Sequence, residues 1–158
     1  MDIEDPQIAL LETCRELGVA TIAYSPLGRG MLTGRFKSPA DLPEGDWRAG
    51  LPRFSKENFP KNLELVDEIG DLAKKKGCTA GQLTMAWLMS QGDDIIPIPG
   101  TTSRKNFDEN MGTLDIKVTP EENTKIRKAI ERTGTVGDRY PQALVNRSLD
   151  RKIELLMI

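Results

Sequence analysis

The sequence predicts an α/β fold with parallel strands, and three observations carry that reading. Two short apolar runs, Val19 to Tyr24 and Ile95 to Ile98, are bounded by turn signals and rich in β-branched residues, which marks strands buried on both faces. Stretches of helical period surround and separate them, and helices alternating with strands imply parallel pairing. Each strand also runs straight into a turn of small or hydroxyl-bearing residues, Ser25-Pro26-Leu27-Gly28-Arg29-Gly30 in one case and Pro99-Gly100-Thr101-Thr102-Ser103 in the other. Backbone N–H groups at such turns, or at a helix start just after them, point at an anion, and small residues let it approach. A phosphate-bearing cofactor is the ligand this arrangement suits.

The elements follow in chain order. Asp5 can cap a first helix whose first turn accepts Pro6, with Ile8, Leu11, Cys14 and Leu17 at helical spacing and Gly18 as its stop. From Met31 to about Pro60 the period is lost among Pro, Gly and charge, with Trp47, Phe54 and Phe59 as isolated aromatics, so a functional or disordered loop is expected there. Helical period returns in Leu65, Val66, Ile69, Leu72 and Ala73. Lys74, Lys75 and Lys76 close that helix, where cations meet its C-terminal carbonyls, and Gly77 separates it from the next. Thr79 and Gln82 form a capping box ahead of Leu83, Ala86, Trp87 and Ser90. After the second strand, Ser103 or Thr102 can cap a short helix carrying Phe107 and Met111. Thr119-Pro120-Glu121-Glu122 opens a last helix through Ile126, Ala129 and Ile130, which Gly134 stops. No trustworthy period follows Thr135.

Composition removes several function classes. A net charge of −2 gives no basic excess to attract nucleic acid or a membrane surface. With no His and only Cys14 and Cys78, a Cys/His metal site and a Cys–His nucleophile are both excluded. The two thiols are expected to be reduced and buried. No apolar run reaches a membrane span and the N-terminus is acidic, so a cytoplasmic protein of one domain is expected.

Tyr24-Ser25-Pro26-Leu27-Gly28-Arg29-Gly30 resembles the end of the seventh strand of an aldo-keto reductase, and Pro99-Gly100-Thr101-Thr102, followed by Asn106, Glu109 and Asn110, resembles the turn after its eighth. Cys14-Arg15-Glu16-Leu17-Gly18, Ala80-Gly81-Gln82-Leu83 and Gly137-Asp138-Arg139-Tyr140 resemble neighbouring family segments. The resemblance implies a partial (β/α)8 TIM barrel, with residues 1–144 as the C-terminal part of the barrel and 145–158 as a divergent, apolar tail. It implies NADP (NADPH) as cofactor, without excluding NAD: many NADPH-using members have Lys at the position of Gly100 and Arg at that of Asn106. Arg104 or Lys105 could substitute.

Carried over by position, Tyr24 would lay its ring against the nicotinamide, and Ser25, Pro26, Leu27, Gly28 and Arg29 would cradle the pyrophosphate, with Arg29 and Arg35 as charge partners. Gly100, Thr101 and Thr102 would meet the adenosine phosphate, with Arg104 a candidate substitute cation beside them. Asn106, Glu109 and Asn110, at i, i+3 and i+4, would contact adenine and ribose. Trp47, Arg48, Arg53 and Phe54 in the long loop would wall the substrate entrance. The reaction so implied is reduction of an aldehyde or ketone by hydride transfer, with a Tyr acid assisted by Lys, Asp and His on earlier strands. Tyr24 and Tyr140 match other family positions and the chain has no His, so no residue here is assigned to catalysis or to a metal. Met1 thus reads as an internal methionine of a longer enzyme. The alternatives are a non-catalytic nucleotide-binding or regulatory half barrel, which would pair with an N-terminal half or self-associate through open sheet edges, and an inactive truncated product.

Overall fold

The computed structural model describes residues 9–144. Asp5, Pro6 and Ile8, and the tail from 145 onward, lie outside the described residues. The order of elements is α1 (Leu10–Glu16), β1 (Thr21–Tyr24), α2 (Phe59–Lys76), α3 (Ala80–Met89), β2 (Ile95–Ile98), α4 (Arg104–Met111) and α5 (Pro120–Thr133). Five short 3-10 turns fill the connections.

The strands pair in parallel, with Thr21 opposite Ile95, Ile22 opposite Ile96, Ala23 opposite Pro97 and Tyr24 opposite Ile98. Pro97 has no N–H to give to a further strand, which suits a strand at a sheet edge. The expectation that both faces would be buried is corrected. One face packs inward, where Ile95 joins Leu11 and Leu88 with Ala23 against them. The other carries Ile22, Tyr24, Ile96 and Ile98, each about half exposed (55, 48, 48 and 50%). The physical reason is that the sheet of the described residues has only two strands and no layer on that side, while local composition cannot report whether a second layer is present. In α1, Leu11 is buried as its spacing predicts, but Leu17 is exposed. Cys14 and Cys78 are free, yet half-buried where buried thiols were expected; desolvation pushes the Cys78 thiol up.

α3 is the hub. Seven of its residues from Gly81 to Leu88 are buried, and a helix apolar all round must be enclosed on all sides. α2, β2, α4 and the 112–115 turn pack against it. Its expected capping box is present: Gln82 N–H donates to Thr79 Oγ1 at 3.2 Å and Thr79 N–H donates to Gln82 Oε1 at 3.1 Å. Trp87 Nε1 donates to Asn123 Oδ1 at 2.8 Å, which ties α3 to α5. α5 has the same box, Thr119 with Glu122, and Gly134 caps its end. The lysines at the end of α2 stand where expected, with Lys76 Nζ 2.8 Å from Glu122 Oε2.

The segment from Met31 to Pro60 is ordered around a core of its own. Met31, Phe36, Leu51, Phe54 and Phe59 pack with Val66 of α2, and the rings of Phe54 and Phe59 lie 5.9 Å apart. A period search misses this because the segment is a chain of 3-10 turns of three to six residues, too short to repeat. Phe54 is therefore a core residue, 2% exposed, and is corrected from its expected place in a substrate wall.

Gly70 sits in the middle of α2, and a Cβ there would meet nothing within 4 Å. Gly70→Ala is expected to stabilise the protein by about 0.5–1 kcal/mol, because glycine in a helix interior costs that much in chain entropy. Urea denaturation checks this, and a lower midpoint for the variant would refute it.

Candidate functional site

In-register parallel pairing places the turns after β1 and β2 at the same end of the sheet, since Tyr24 stands opposite Ile98. α3 then joins them from the side. A Cβ on Gly81 would lie 3.7 Å from Leu27 Cδ2, on the first turn, and 3.6 Å from Glu109 Oε1, on α4 after the second. Thr79 Oγ1 donates to Glu109 Oε1 at 2.7 Å, and Gln82 Nε2 donates to the Glu109 carbonyl at 3.0 Å.

The first turn is wound with unusual backbone. Ser25 (φ 51°) and Arg29 (φ 59°) are left-handed without being glycine, and Gly28 and Gly30 have φ of 59° and 93°. Left-handed geometry costs about 1–2 kcal/mol for a residue with a Cβ, so the surroundings must hold it. Gly28 N–H donates to Ser25 O and Gly30 N–H to Leu27 O, both at 3.0 Å. Arg48 Nη1 donates to the Arg29 carbonyl at 2.9 Å, and Arg48 is itself gripped by Asp46, Nη2 to Oδ2 being 2.6 Å. Gly30 has little room for a side chain, because a Cβ would come within 3.2 Å of Arg48 Nη1.

Tyr24 projects from the end of β1 with its hydroxyl 2.9 Å from that of Tyr140. The Arg139 guanidinium lies 4.2 Å from its ring centroid. Arg29 reaches across: its Nη1 donates to the Arg139 carbonyl at 2.8 Å, and its guanidinium lies over the rings of Tyr140, at 4.6 Å, and Trp47, at 5.3 Å. Burial, then the Tyr140 hydrogen bond, push the Tyr24 hydroxyl above the usual tyrosine value. The bond from Tyr24 and the flanking arginine charges bring Tyr140 below it. Arg35 is exposed, its guanidinium 5.4 Å over Phe36.

At the second turn Thr101 Oγ1 accepts from Ser103 N–H at 3.0 Å, and Ser103, of the two caps expected, is the one that caps α4. Gly100, Thr101, Thr102, Arg104 and Asn106 are exposed, and Glu109 and Asn110 half-buried. Arg104 pairs with Asp108 one turn on, at 2.8 Å. Neither backbone nor packing demands glycine at position 100, since a Cβ there meets nothing within 4 Å.

Of the loop residues expected at a substrate entrance, Trp47 alone is exposed. Arg53 Nε instead donates to the Gly137 carbonyl at 3.1 Å. Sequence reasoning missed Arg139 and Tyr140 as neighbours of Tyr24, and it missed Asn62. That buried side chain grips Val136 through both amide atoms, Nδ2 donating to the carbonyl at 2.9 Å and Oδ1 accepting from N–H at 2.8 Å. Gly137 was the one available signal: its φ is 91° and a Cβ would approach the Pro52 carbonyl carbon to 2.9 Å.

Comparison with known proteins places this geometry in context. Residues 3–131 match the model of the aldo/keto reductase family. The chain is 51% identical over 139 residues to the aldo-keto reductase str7 of Strobilurus tenacellus, covering 88% of this chain and 41% of that protein. It is 49% identical over 141 residues to the aldo-keto reductase yakc [NADP(+)] of Schizosaccharomyces pombe, covering 89% and 42%. Among solved structures it is similar to the glycerol dehydrogenase AKR11B4 of Gluconobacter oxydans, with a TM-score of 0.74 and 26% identity over 87% of this chain and 41% of that one. A thermostable aldo-keto reductase, Tm1743, shares the fold at a TM-score of 0.55 and 24% identity, over 80% and 35%. The chain spans about two fifths of the length of the curated relatives it matches.

The Arg48 hydrogen bonds hold the Asp46 carboxyl at about 2, below its ordinary 3.8. A carboxylate whose folded value is depressed stabilises fully above its unfolded value and loses that contribution as pH falls through the folded one. The grip on the Arg29 carbonyl is accordingly expected to be complete above about pH 4 and to fail towards pH 2. A carboxyl titration by NMR should place Asp46 near 2 and return it towards 3.8 in Arg48→Met; a midpoint near 3.8 in the unaltered protein would refute the assignment.

Proposed function

The chain belongs to the aldo/keto reductase family, and from that membership we propose that it is the C-terminal, cofactor-binding part of an NADP-dependent oxidoreductase reducing aldehydes or ketones to alcohols. The observation that carries this reading is the in-register pairing of β1 and β2, which opens two anion-suited turns at one sheet end. In this reading residues 1–144 are the barrel part. Gly100, Thr101 and Thr102 hold the adenosine phosphate, with Arg104 as cation, and Asn106, Glu109 and Asn110 face adenine and ribose. Ser25 to Arg29 and Arg35 serve the pyrophosphate, and Tyr24 is the platform for the nicotinamide. The open space at Gly100 supports this, since a small residue needed by neither backbone nor neighbours leaves room for a ligand.

When bound, the cofactor supplies the hydride. The chain's own residues bind and orient; its site has no His and its Tyr24 hydroxyl is engaged by Tyr140, so no group is assigned to proton delivery. The relative yakc bears NADP(+) in its name, which favours NADP, while Gly100 and Asn106 leave NAD open.

Calorimetry with 2′,5′-ADP, the adenosine half of NADP, tests the reading. Binding is expected, and Gly100→Glu should weaken it at least tenfold by bulk and like charge without lowering the thermal midpoint. Unchanged binding in that variant overturns the assignment of the second turn. Purified chain should show no carbonyl reduction, and measurable NADPH-dependent turnover would overturn the division of labour.

A second reading, a non-catalytic half barrel that associates with an N-terminal half or with itself, is favoured by the open face of Ile22, Ile96 and Ile98. Unpaired edges beside an apolar face are a template for association. Sedimentation should then show concentration-dependent association that Ile96→Lys suppresses; a strictly monomeric chain removes self-association.

A further inference from the structure

The two halves of the proposed site differ in what the chain itself places on them. Around the adenosine half, Gly100, Thr101, Thr102 and Asn106 are exposed. At the nicotinamide half the chain lays its own side chains against Tyr24, which is still 48% exposed. The Arg139 guanidinium lies 4.2 Å over the Tyr24 ring, and the Tyr140 hydroxyl meets that of Tyr24 at 2.9 Å. Arg29, the pyrophosphate candidate, is held by the same two residues, through the Arg139 carbonyl at 2.8 Å and the Tyr140 ring at 4.6 Å.

The covering segment is anchored on its N-terminal side. Asn62, 5% exposed, grips both backbone groups of Val136, and Arg53 holds the Gly137 carbonyl. Beyond Gly137 the contacts change character. Beside the Arg29 hydrogen bond to the Arg139 carbonyl, they include cation–π and hydroxyl contacts of Arg139 and Tyr140, a kind that exchanges more readily than a buried bidentate amide pair.

From these contacts we infer that residues 136–140 form a strap over the nicotinamide half of the site, and that Arg139 keeps the nicotinamide off Tyr24. The inference rests on the reading of Tyr24 and Arg29 given above. A flat ring stacking on Tyr24 needs the layer about 3.5–4 Å above it, where carbon–carbon contacts are optimal. The Arg139 guanidinium fills that layer on the face it covers, so ring and guanidinium cannot share it. The strap opens by pivoting beyond Gly137 while the Asn62 anchor stays closed. In the resting chain, then, the adenosine half binds unhindered and the nicotinamide half adds nothing until Arg139 leaves.

Calorimetric titration of the purified chain with NADPH and with 2′,5′-ADP separates the two halves. In the unaltered chain the two dissociation constants should agree within threefold. Arg139→Ala, which keeps the carbonyl that Arg29 uses, should tighten NADPH at least fivefold and leave 2′,5′-ADP within twofold. Tyr140→Phe, which removes one hydroxyl and changes no packing volume of note, should tighten NADPH at least twofold and serves if the first variant folds poorly. Binding of 2′,5′-ADP with NADPH affinity unchanged or weakened in both variants overturns the strap alone. Absence of 2′,5′-ADP binding in all three proteins overturns the cofactor reading and the strap with it.

Discussion

Four residue pairs between β1 and β2 set the rest of the molecule. Parallel strands cannot be joined by a hairpin, so the chain must cross over from the end of one to the start of the other. Here the crossover holds the long 3-10 segment, α2 and α3, and most of the buried side chains belong to it. α3 lies against the sheet through β2 and against α2 on another side. The pairing register therefore decides which turn stands beside which, and Gly81 lies between them, where a Cβ would stand 3.6 Å from Glu109 Oε1 and 3.7 Å from Leu27 Cδ2.

Backbone carbonyls in the irregular regions are held by side chains reaching from distant elements. Arg48 takes the Arg29 carbonyl, Arg29 takes that of Arg139, Arg53 takes that of Gly137, and Asn62 takes those of Arg53 and Val136. Hydrogen bonds from charged donors are stronger than neutral ones, and a guanidinium can serve a carbonyl while lying over a ring, as Arg29 does with Tyr140 and Arg48 with Phe36. These donors give order to a segment with almost no regular ladder. They also link the first turn, the long loop and the residues after α5 into one polar system that ends on Tyr24.

Among the described residues the sheet is packed on one side only. Its inner face is packed by α1 and α3, and its outer face shows Ile22, Ile96 and Ile98 beside the same Tyr24. The platform proposed for a flat ring is thus the border between a closed core and an open apolar surface. Relatives that share this fold are more than twice as long as the stretch they share with the chain.

The sequence by itself determined the helices from α2 to α5, because their signals are local, whereas α1 begins at Leu10 after a left-handed Ala9, short of the start expected at Asp5 and Pro6. The boxes of Thr79 with Gln82 and Thr119 with Glu122, the stops at Gly18, Gly77 and Gly134, and the apolar stripe of α2 each lie within one or two turns of chain, and all appear in the structure. It determined both strands and the two turns after them for the same reason. The tertiary structure alone decided what those elements face. Ile22 and Ile96 read as core residues, yet exposure depends on whether another layer exists, which no residue encodes locally. Phe54 and Phe59 read as isolated aromatics, yet they share a core because short 3-10 turns bring them together without any period. Tyr24 was legible as a candidate from its motif, whereas Arg139 and Tyr140 lie over it from beyond α5, held by an asparagine 74 positions before Val136. Contacts of that span leave no trace in spacing or composition, since they are made by chain reversal and satisfied one hydrogen bond at a time.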